Sequence, residues 1–528
     1  MQRRTAYGPR FPVAPQSETT VIALPLTGGV RNDVSPAVVQ APSLLTAWDV
    51  RLMDGRVTRR SHLSSVASLD TTGSAPYVGG MFEFYRTNGA GFGWISRGTY
   101  HYSTVDFPLG FSAASFTSAY GIGSIGSGQD YTSLAGWQGA VGYSPALNDN
   151  CLFLATSSKD TLLCAYFNTT AQYSYVTGAP QTQAVTVFDD TVLVFNTYEI
   201  GDGGDVITRV RWSDRGDPFE WDPTNTNAGF ADLTQMVGTG TAIKVLGDRL
   251  ILFSDKDVWT GHRTVPPFNY SFQEMEKGVG CPYPRTIQET PLGLVWLDTY
   301  ARVRLLPKGG GETIVLSGPI DQALRSRLHK LDGHPGGGRA PRSWAHYDPR
   351  DRTYSLYPTT DGAFAYDCHV FHLDTGAWTR DHLDGTTAAV YWEGAVSGGG
   401  LGPVGTYSAR TTTEIASSTS IASLETHGAE LATGPLLPAD ARQKIVNEVR
   451  VLYDATSAST ATVHLSGDYG ATSAQSVALR LPAASYATVA TAWLYGSAQA
   501  PVVTLESAST GYRIHGVQVV MQMNGQGA

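Results

Sequence analysis

Short apolar runs separated by Asp, Gly, Asn and Pro turns recur along most of this chain, and that alternation restricts it to an all-β architecture. Residues 184–188 and 192–195 are apolar and hinge on Asp189-Asp190, the spacing of a tight hairpin. A comparable unit follows over 242–246 and 250–253, turning at Gly247-Asp248, with a polar corner at 254–257 ahead of Val258-Trp259. It recurs at 294–297 and 303–306 around Asp298-Thr299, then at 343–347 and 353–357, and finally at 369–373, which closes on Trp378. Upstream, Asn88-Gly89 lies between 81–85 and 92–95 and is the strongest short hairpin signal in the chain.

Strand–turn–strand units every few dozen residues, with aromatic ends, predict a β-propeller over 61–400 rather than a single sandwich. No fixed dipeptide marks each blade, so a chain of several sandwiches is the competing architecture. One helix is expected near 319–331. Pro319 suits its first turn, and Ile320, Ala323, Leu324, Leu328 and Leu331 fall at helical spacing. Residues 1–60 read as an N-terminal arm or platform segment and 401–440 as a Gly/Ser/Thr-rich connection. Residues 441–528 read as a C-terminal β-sandwich-like module, with strands expected at 446–453, 461–466, 476–481, 502–505 and 512–523.

Composition narrows the function classes. Charged residues make up 16% of the 528, and 37 basic against 46 acidic side chains leave a net charge of −9. A general nucleic-acid binder carries a basic excess instead. With 11 Trp, 26 Tyr and 18 Phe, the chain has too much aromatic surface to remain disordered. No stretch approaches the ~18 apolar residues of a membrane helix, and residues 20–26, broken by Pro25, are too short for a secretory signal core. Four cysteines (Cys151, Cys164, Cys281, Cys368) in so long a chain do not make a disulfide framework, although a Cys151–Cys164 bridge is conceivable. Synthesis in a cytoplasm is expected.

The densest local pattern is Trp212-Ser213-Asp214-Arg215-Gly216-Asp217-Pro218, followed by Trp221. It resembles the aspartate box of sialidase-type propellers but departs from it: Trp212 stands where the box puts Ser or Thr, and Trp221 is too far beyond Gly216. A structural clasp, in which Trp221 folds back over the turn, is expected. Most Asp residues sit in turns, where backbone hydrogen bonding explains them without catalysis. Gly201-Asp202-Gly203-Gly204-Asp205 lacks the ligand ladder of a calcium loop. Cys368, His369 and His372 suggest a metal until strand geometry is applied. Residues four apart are about 13 Å apart, and His369 points to the opposite face. No catalytic, cofactor or metal residue is assigned, and a chain without enzymatic activity is expected.

The order of features resembles the tail nozzle (tail tubular or tail hub) proteins of short-tailed bacteriophages. The resemblance begins at Gly28-Gly29-Val30-Arg31-Asn32-Asp33-Val34-Ser35-Pro36, then Thr46-Ala47-Trp48-Asp49-Val50 and Asp54-Gly55-Arg56-Val57-Thr58-Arg59-Arg60. Trp48-Asp49 departs from the family's small-residue–Asn pair. It continues through Arg211-Trp212-Ser213-Asp214 to Trp221, then Ser317-Gly318-Pro319-Ile320, and ends on Tyr512-Arg513-Ile514-His515-Gly516. It spans nearly the whole chain in short motifs, with no counterpart for 99–150. It implies a structural virion protein of the tail, a propeller-bearing subunit of a homohexameric ring. Such a ring contacts portal and adaptor proteins and tail fibres or spikes, and its lumen retains and then releases genome DNA without reading its sequence. No lumen residue is identified by it. A charge of −9 per subunit suits DNA passage, since each neutralised phosphate would add drag. Another tail-tip or baseplate protein, and a carbohydrate-binding or glycoside-hydrolase propeller, are the alternatives.

Overall fold

The structure is a computed structural model that describes residues 18–59, 78–104, 137–328, 343–394, 407–414 and 429–523, apart from short breaks within these ranges. Its described residues are all-β with one short α-helix, and the chain divides into two compact units, 61–427 and 1–60 with 428–528.

The larger unit is a β-propeller whose described residues form six antiparallel sheets arranged as successive blades. The first consists of Val78–Tyr85, Gly91–Arg97 and Tyr100–Thr104. The second is built on Trp137–Ser144, Asp149–Thr156, Leu163–Asn168 and Thr170–Tyr175. The third runs Gln181–Phe188, Thr191–Glu199, Gly204–Trp212 and Gly229–Asp232, and the fourth Gly240–Leu246, Arg249–Ser254, Val258–Arg263 and Tyr270–Glu276. The fifth comprises Gln288–Thr290, Gly293–Leu297, Val303–Pro307 and Ile314–Val315; the sixth Trp344–Asp348, Thr353–Tyr357, Ala365–His372 and Ala377–Gly394. Val78–Tyr85 packs against both Trp137–Ser144 and Ala377–Gly394, which closes the circle.

Local sequence explains the hairpins. In the third blade Phe188 pairs with Thr191, leaving a two-residue loop whose Asp189 and Asp190 have φ of 51° and 58°. Paired left-handed residues match the twist of the flanking strands, and Asp tolerates that region. Leu246 pairs with Arg249 across the two-residue loop Gly247-Asp248, in which Gly247 alone takes a left-handed φ, 65°. The Asn88-Gly89 turn lies outside the described residues, but its flanking strands pair from Tyr85↔Gly91 onward. Apolar residues on both faces of each blade then interlock with the next. Phe195 and Trp212 meet Leu252 and Trp259 between blades three and four, while Phe253 and Leu246 meet Trp296 between four and five. Side chains tie the inner strands together: Gln138 Nε2 donates to Thr241 O at 2.8 Å, and Gln288 Nε2 donates to Ala345 O at 2.9 Å.

The expected helix is a 3-10 turn at Gly318–Ile320 that continues into the α-helix Asp321–Leu328. Its apolar stripe of Ile320, Leu324 and Leu328 is buried against blades five and six. Leu331 lies outside the described residues.

The second unit is a β-sandwich built from both ends of the chain. One sheet runs Val50–Met53, Arg56–Arg59, Tyr512–Met523, Lys444–Ala455 and Ala484–Ala498, and Glu18–Leu24 also pairs with Tyr512–Met523. The facing strands are Leu44–Trp48, Ala429–Thr433, Val502–Ser507, Ser459–Gly467 and Thr472–Leu481, in that order. Buried and more exposed residues alternate along Tyr512–Met523 on either side of a one-residue shift at His515-Gly516, which fits one face on a core and one outward.

Candidate functional site

The Trp212–Trp221 segment is a clasp at the edge of the third blade. Ser213 Oγ accepts from Val192 N at 3.1 Å, fixing the end of one strand to the start of its neighbour. Asp214 Oδ1 accepts from Asn227 N at 2.9 Å, and Trp212 Nε1 donates to Asn227 O at 2.9 Å, so one loop residue holds both. Gly216, at φ 78°, donates its N–H to Asp190 O at 2.8 Å, and Asp217 Oδ1 accepts from Phe219 N at 3.0 Å. Trp221 turns back and is buried among Phe153, Val185 and Val194, with its Nε1 donating to Pro218 O at 3.0 Å. These groups face backbone and core, so this arrangement positions strands.

Carboxylates that gather in the propeller do so around arginines. Arg209 is bound to Asp232 through Nε at 2.6 Å and also approaches Glu199 at 3.4 Å, while Arg211 reaches Glu199 at 2.8 Å. The Arg209 hydrogen bond holds the Asp232 carboxyl below the ordinary range despite some desolvation. Between blades four and five, Asp298 is fully buried and accepts from Tyr300 N, Arg302 N and Arg304 Nε at 2.8, 2.9 and 2.6 Å. Arg304 extends the chain to Glu276 at 3.4 Å and to Thr313 Oγ1 at 2.8 Å. Each acid is thereby neutralised and held still, the condition of a structural charge.

In the sixth blade, the Val370↔Ser355 register puts Cys368, Val370 and His372 on one face and His369 on the other. The first face is buried and largely polar: His372 Nε2 meets Thr379 Oγ1 at 3.0 Å, and Cys368 Sγ lies 3.8 Å from Asp381 Oδ2. Trp344 and Tyr357 stack beside it, centroids 3.6 Å apart. Among the described residues no group of three His, Cys, Asp or Glu side chains is placed to hold a metal ion. Asp205 of the glycine-rich loop pairs with Lys159 at 2.7 Å, while Asp202 lies outside the described residues. Cys151 and Cys164 are free buried thiols on neighbouring strands, and contact with Cys151 together with burial pushes Cys164 well above its ordinary value.

The outward face of the sandwich is different in kind. Along Ala484–Ala498, Val489, Trp493 and Tyr495 share this face and are 53%, 71% and 74% exposed, while Tyr486, an odd number of residues from each of them, is 75% exposed near the start of the strand. The adjoining strand contributes Arg450 and Glu448, paired at 2.6 Å, with Glu448 directly across from Trp493. Sequence reading passed over this strand entirely. The signal that would have found it is the uncharged run 481–505, in which Val489, Trp493 and Tyr495 alternate with Ala492 and Leu494. Among the described residues no helix is long and apolar enough to cross a membrane.

No family model and no curated protein matches the chain. Solved structures similar to it include an exo-beta-1,3-galactanase from Phanerochaete chrysosporium, at 10% identity and TM-score 0.27, covering 87% of this chain and 99% of that one. A glycoside hydrolase family 43 arabinoxylan arabinofuranohydrolase from Bacillus subtilis matches at 10% and 0.25, covering 88% and 96%. A virginiamycin B lyase from Staphylococcus aureus matches at 10% and 0.34, covering 57% and 84%. The expectation of a chain without enzymatic activity is corrected by this finding, because glycoside hydrolases recur among the solved structures that it resembles. Likeness at these TM-scores transfers neither their substrates nor their chemistry. What the chain has is the all-β, propeller-bearing architecture described above.

Proposed function

We propose that the chain is a structural subunit of a ring-shaped tail nozzle in a short-tailed bacteriophage, forming part of the channel through which genome DNA is retained and released. The observation that carries this reading is where the two ends of the resemblance meet. Arg56–Arg59, from the N-terminal motif, pairs with Tyr512–Met523, which holds the terminal motif, through Thr58↔Arg513 and Val57↔Ile514. Gly28 belongs to the same construction, donating its N–H to Pro42 O at 3.0 Å where an added Cβ would strike the Pro42 carbonyl. Motifs more than 450 residues apart in the chain thus become neighbouring strands of one sandwich, with a propeller between them in sequence. The net charge of −9 suits a wall past which DNA slides.

Imaging of purified protein and of virions tests this. A ring of six copies below the portal is expected, and particles lacking the chain are expected to package DNA and then leak it. A stable monomer absent from particles would falsify the proposal.

A second reading, a carbohydrate-binding or carbohydrate-cleaving propeller protein, is favoured by the exposed Tyr486, Trp493 and Tyr495, because aromatic faces also stack on sugar rings. Saturable binding to a polysaccharide, or release of reducing ends from one, would support this reading over the first.

A further inference from the structure

We infer that the outward face of the Ala484–Ala498 strand is a contact surface for a second copy of this chain. Ala484–Ala498 pairs with Lys444–Ala455 on one side, and among the described residues no strand pairs with its other side. Natural edge strands are guarded by charges, prolines or short length, since an unguarded edge recruits other chains. This one is 15 residues long and lies inside a run, 481–505, that contains no charged side chain.

Two aromatic side chains on this face, Trp493 and Tyr495, are 71% and 74% exposed. At about 150–250 Å² each, they leave roughly 300 Å² of aromatic surface in water, more than a third of the ~800 Å² per partner that a stable interface buries. The face continues across the sheet. In register with Trp493 lie Glu448, Val520 and Val21, and Val21 is 53% exposed at the far side. Charge selects the occupant. Two copies of a chain carrying −9 repel each other. They meet at lowest cost on an uncharged surface, and the ion pair on this face, Arg450 with Glu448, is already neutral within itself. The mode of contact is also constrained. Gln475 Oε1 accepts from Tyr495 N at 2.6 Å, which occupies the strand's edge there. The second copy therefore packs on the aromatic face instead of adding a strand at that end.

This deepens the assembly reading and rests on it. The test is the double variant Trp493→Ser/Tyr495→Ser of the full chain, followed beside the wild type by sedimentation velocity over a concentration series. Wild-type chain is expected to self-associate, and the variant to do so about 30-fold or more weakly, the effect of removing a central aromatic anchor. Its thermal melt should match the wild type, since the replaced side chains already face water. Trp493→Arg, which places charge on the face, should give the same loss. Undiminished association of both variants overturns this inference and leaves the proposed function standing. A wild-type chain that stays monomeric at every concentration overturns both. Quenching of Trp493 by soluble oligosaccharides, lost in the double variant while association persists, would reassign the face to a glycan.

Discussion

Removal of the Asp298 carboxylate is the sharpest test of how the propeller holds its fifth blade. Asp298 has no solvent-exposed side-chain surface and accepts three hydrogen bonds at 2.6–2.9 Å, one of them from the nearly buried Arg304. Asp298→Ala leaves two turn N–H groups without their acceptor and strips Arg304 of its shortest ionic partner. Breaking one side of a buried pair costs about 3–5 kcal/mol. Arg304 keeps Glu276 at 3.4 Å and Thr313 at 2.8 Å, which places the expected loss near the lower end, about 3 kcal/mol. Asp298→Asn preserves an oxygen for the turn and loses only the charge, so a smaller loss of about 1.5–3 kcal/mol is expected. Because two units need not unfold together, a single midpoint is a poor readout. Hydrogen exchange of peptides spanning Gly293–Pro307, referenced to Tyr512–Met523 in the other unit, reads the local opening energy directly. Asp298→Ala combined with Arg304→Met should lose less than the sum of the single changes by about 2 kcal/mol. A loss below about 1 kcal/mol for Asp298→Ala, or additive effects in the double variant, would refute the claim that this buried charge pair holds the blade.

Three further outcomes follow from the fold. Gly293 sits at φ 146° with the Leu306 carbonyl where a Cβ would be, so Gly293→Ala should open the Gly293–Leu297/Val303–Pro307 hairpin and yield mostly insoluble protein; soluble protein with an unchanged melting temperature would contradict this. All four cysteines are free and buried, and burial pushes Cys281 up to about 12, so an aromatic disulfide reagent at pH 8 should label none before unfolding, as a colorimetric thiol count will tell. Arg209 holds Asp232 below its ordinary value, so the pair's stabilisation is present above the unfolded carboxylate range near pH 4 and is lost as pH falls through the lower folded value. An Asp232→Asn chain should therefore show a shallower acid limb in a melt series from pH 6 to pH 2; identical limbs would exclude the linkage.

How far the fold was legible depended on where its information lay. Hairpins closed by Asp189-Asp190 and Gly247-Asp248 were readable because two adjacent residues fix the turn and the flanking apolar runs fix the strands. The helix was readable for the same local reason, with Ile320, Leu324 and Leu328 one face apart. The Ala484–Ala498 strand was not. Its alanines and glycine carry little β signal, and apolar side chains stand on its wet face as well as its dry one. Nor does any local signal join Glu18–Leu24 to Tyr512–Met523, since each needs the other to be a paired strand. Within the candidate sites, the Trp212–Trp221 segment was recognisable as a clasp from composition alone. The Asp298–Arg304–Glu276 network was hidden, because Asp298 reads as an ordinary turn residue until the neighbouring blade brings Glu276 to Arg304.

The pairing of the first described strand with the last has a consequence in time. Glu18–Leu24 meets its partner only when Val517–Met523 has been made, about 500 residues later. At ~5–20 residues per second a ribosome needs roughly 25–100 s to cover that distance. The propeller, residues 61–427, is complete well before then, while the sandwich cannot close until residue 523 has been added. The uncharged aromatic strand Ala484–Ala498 is translated only after that propeller and gains its sheet partner Lys444–Ala455 in the same later interval. Chains that have not yet reached this strand therefore lack the surface through which two copies would meet, and the order of translation itself delays association until both units are made.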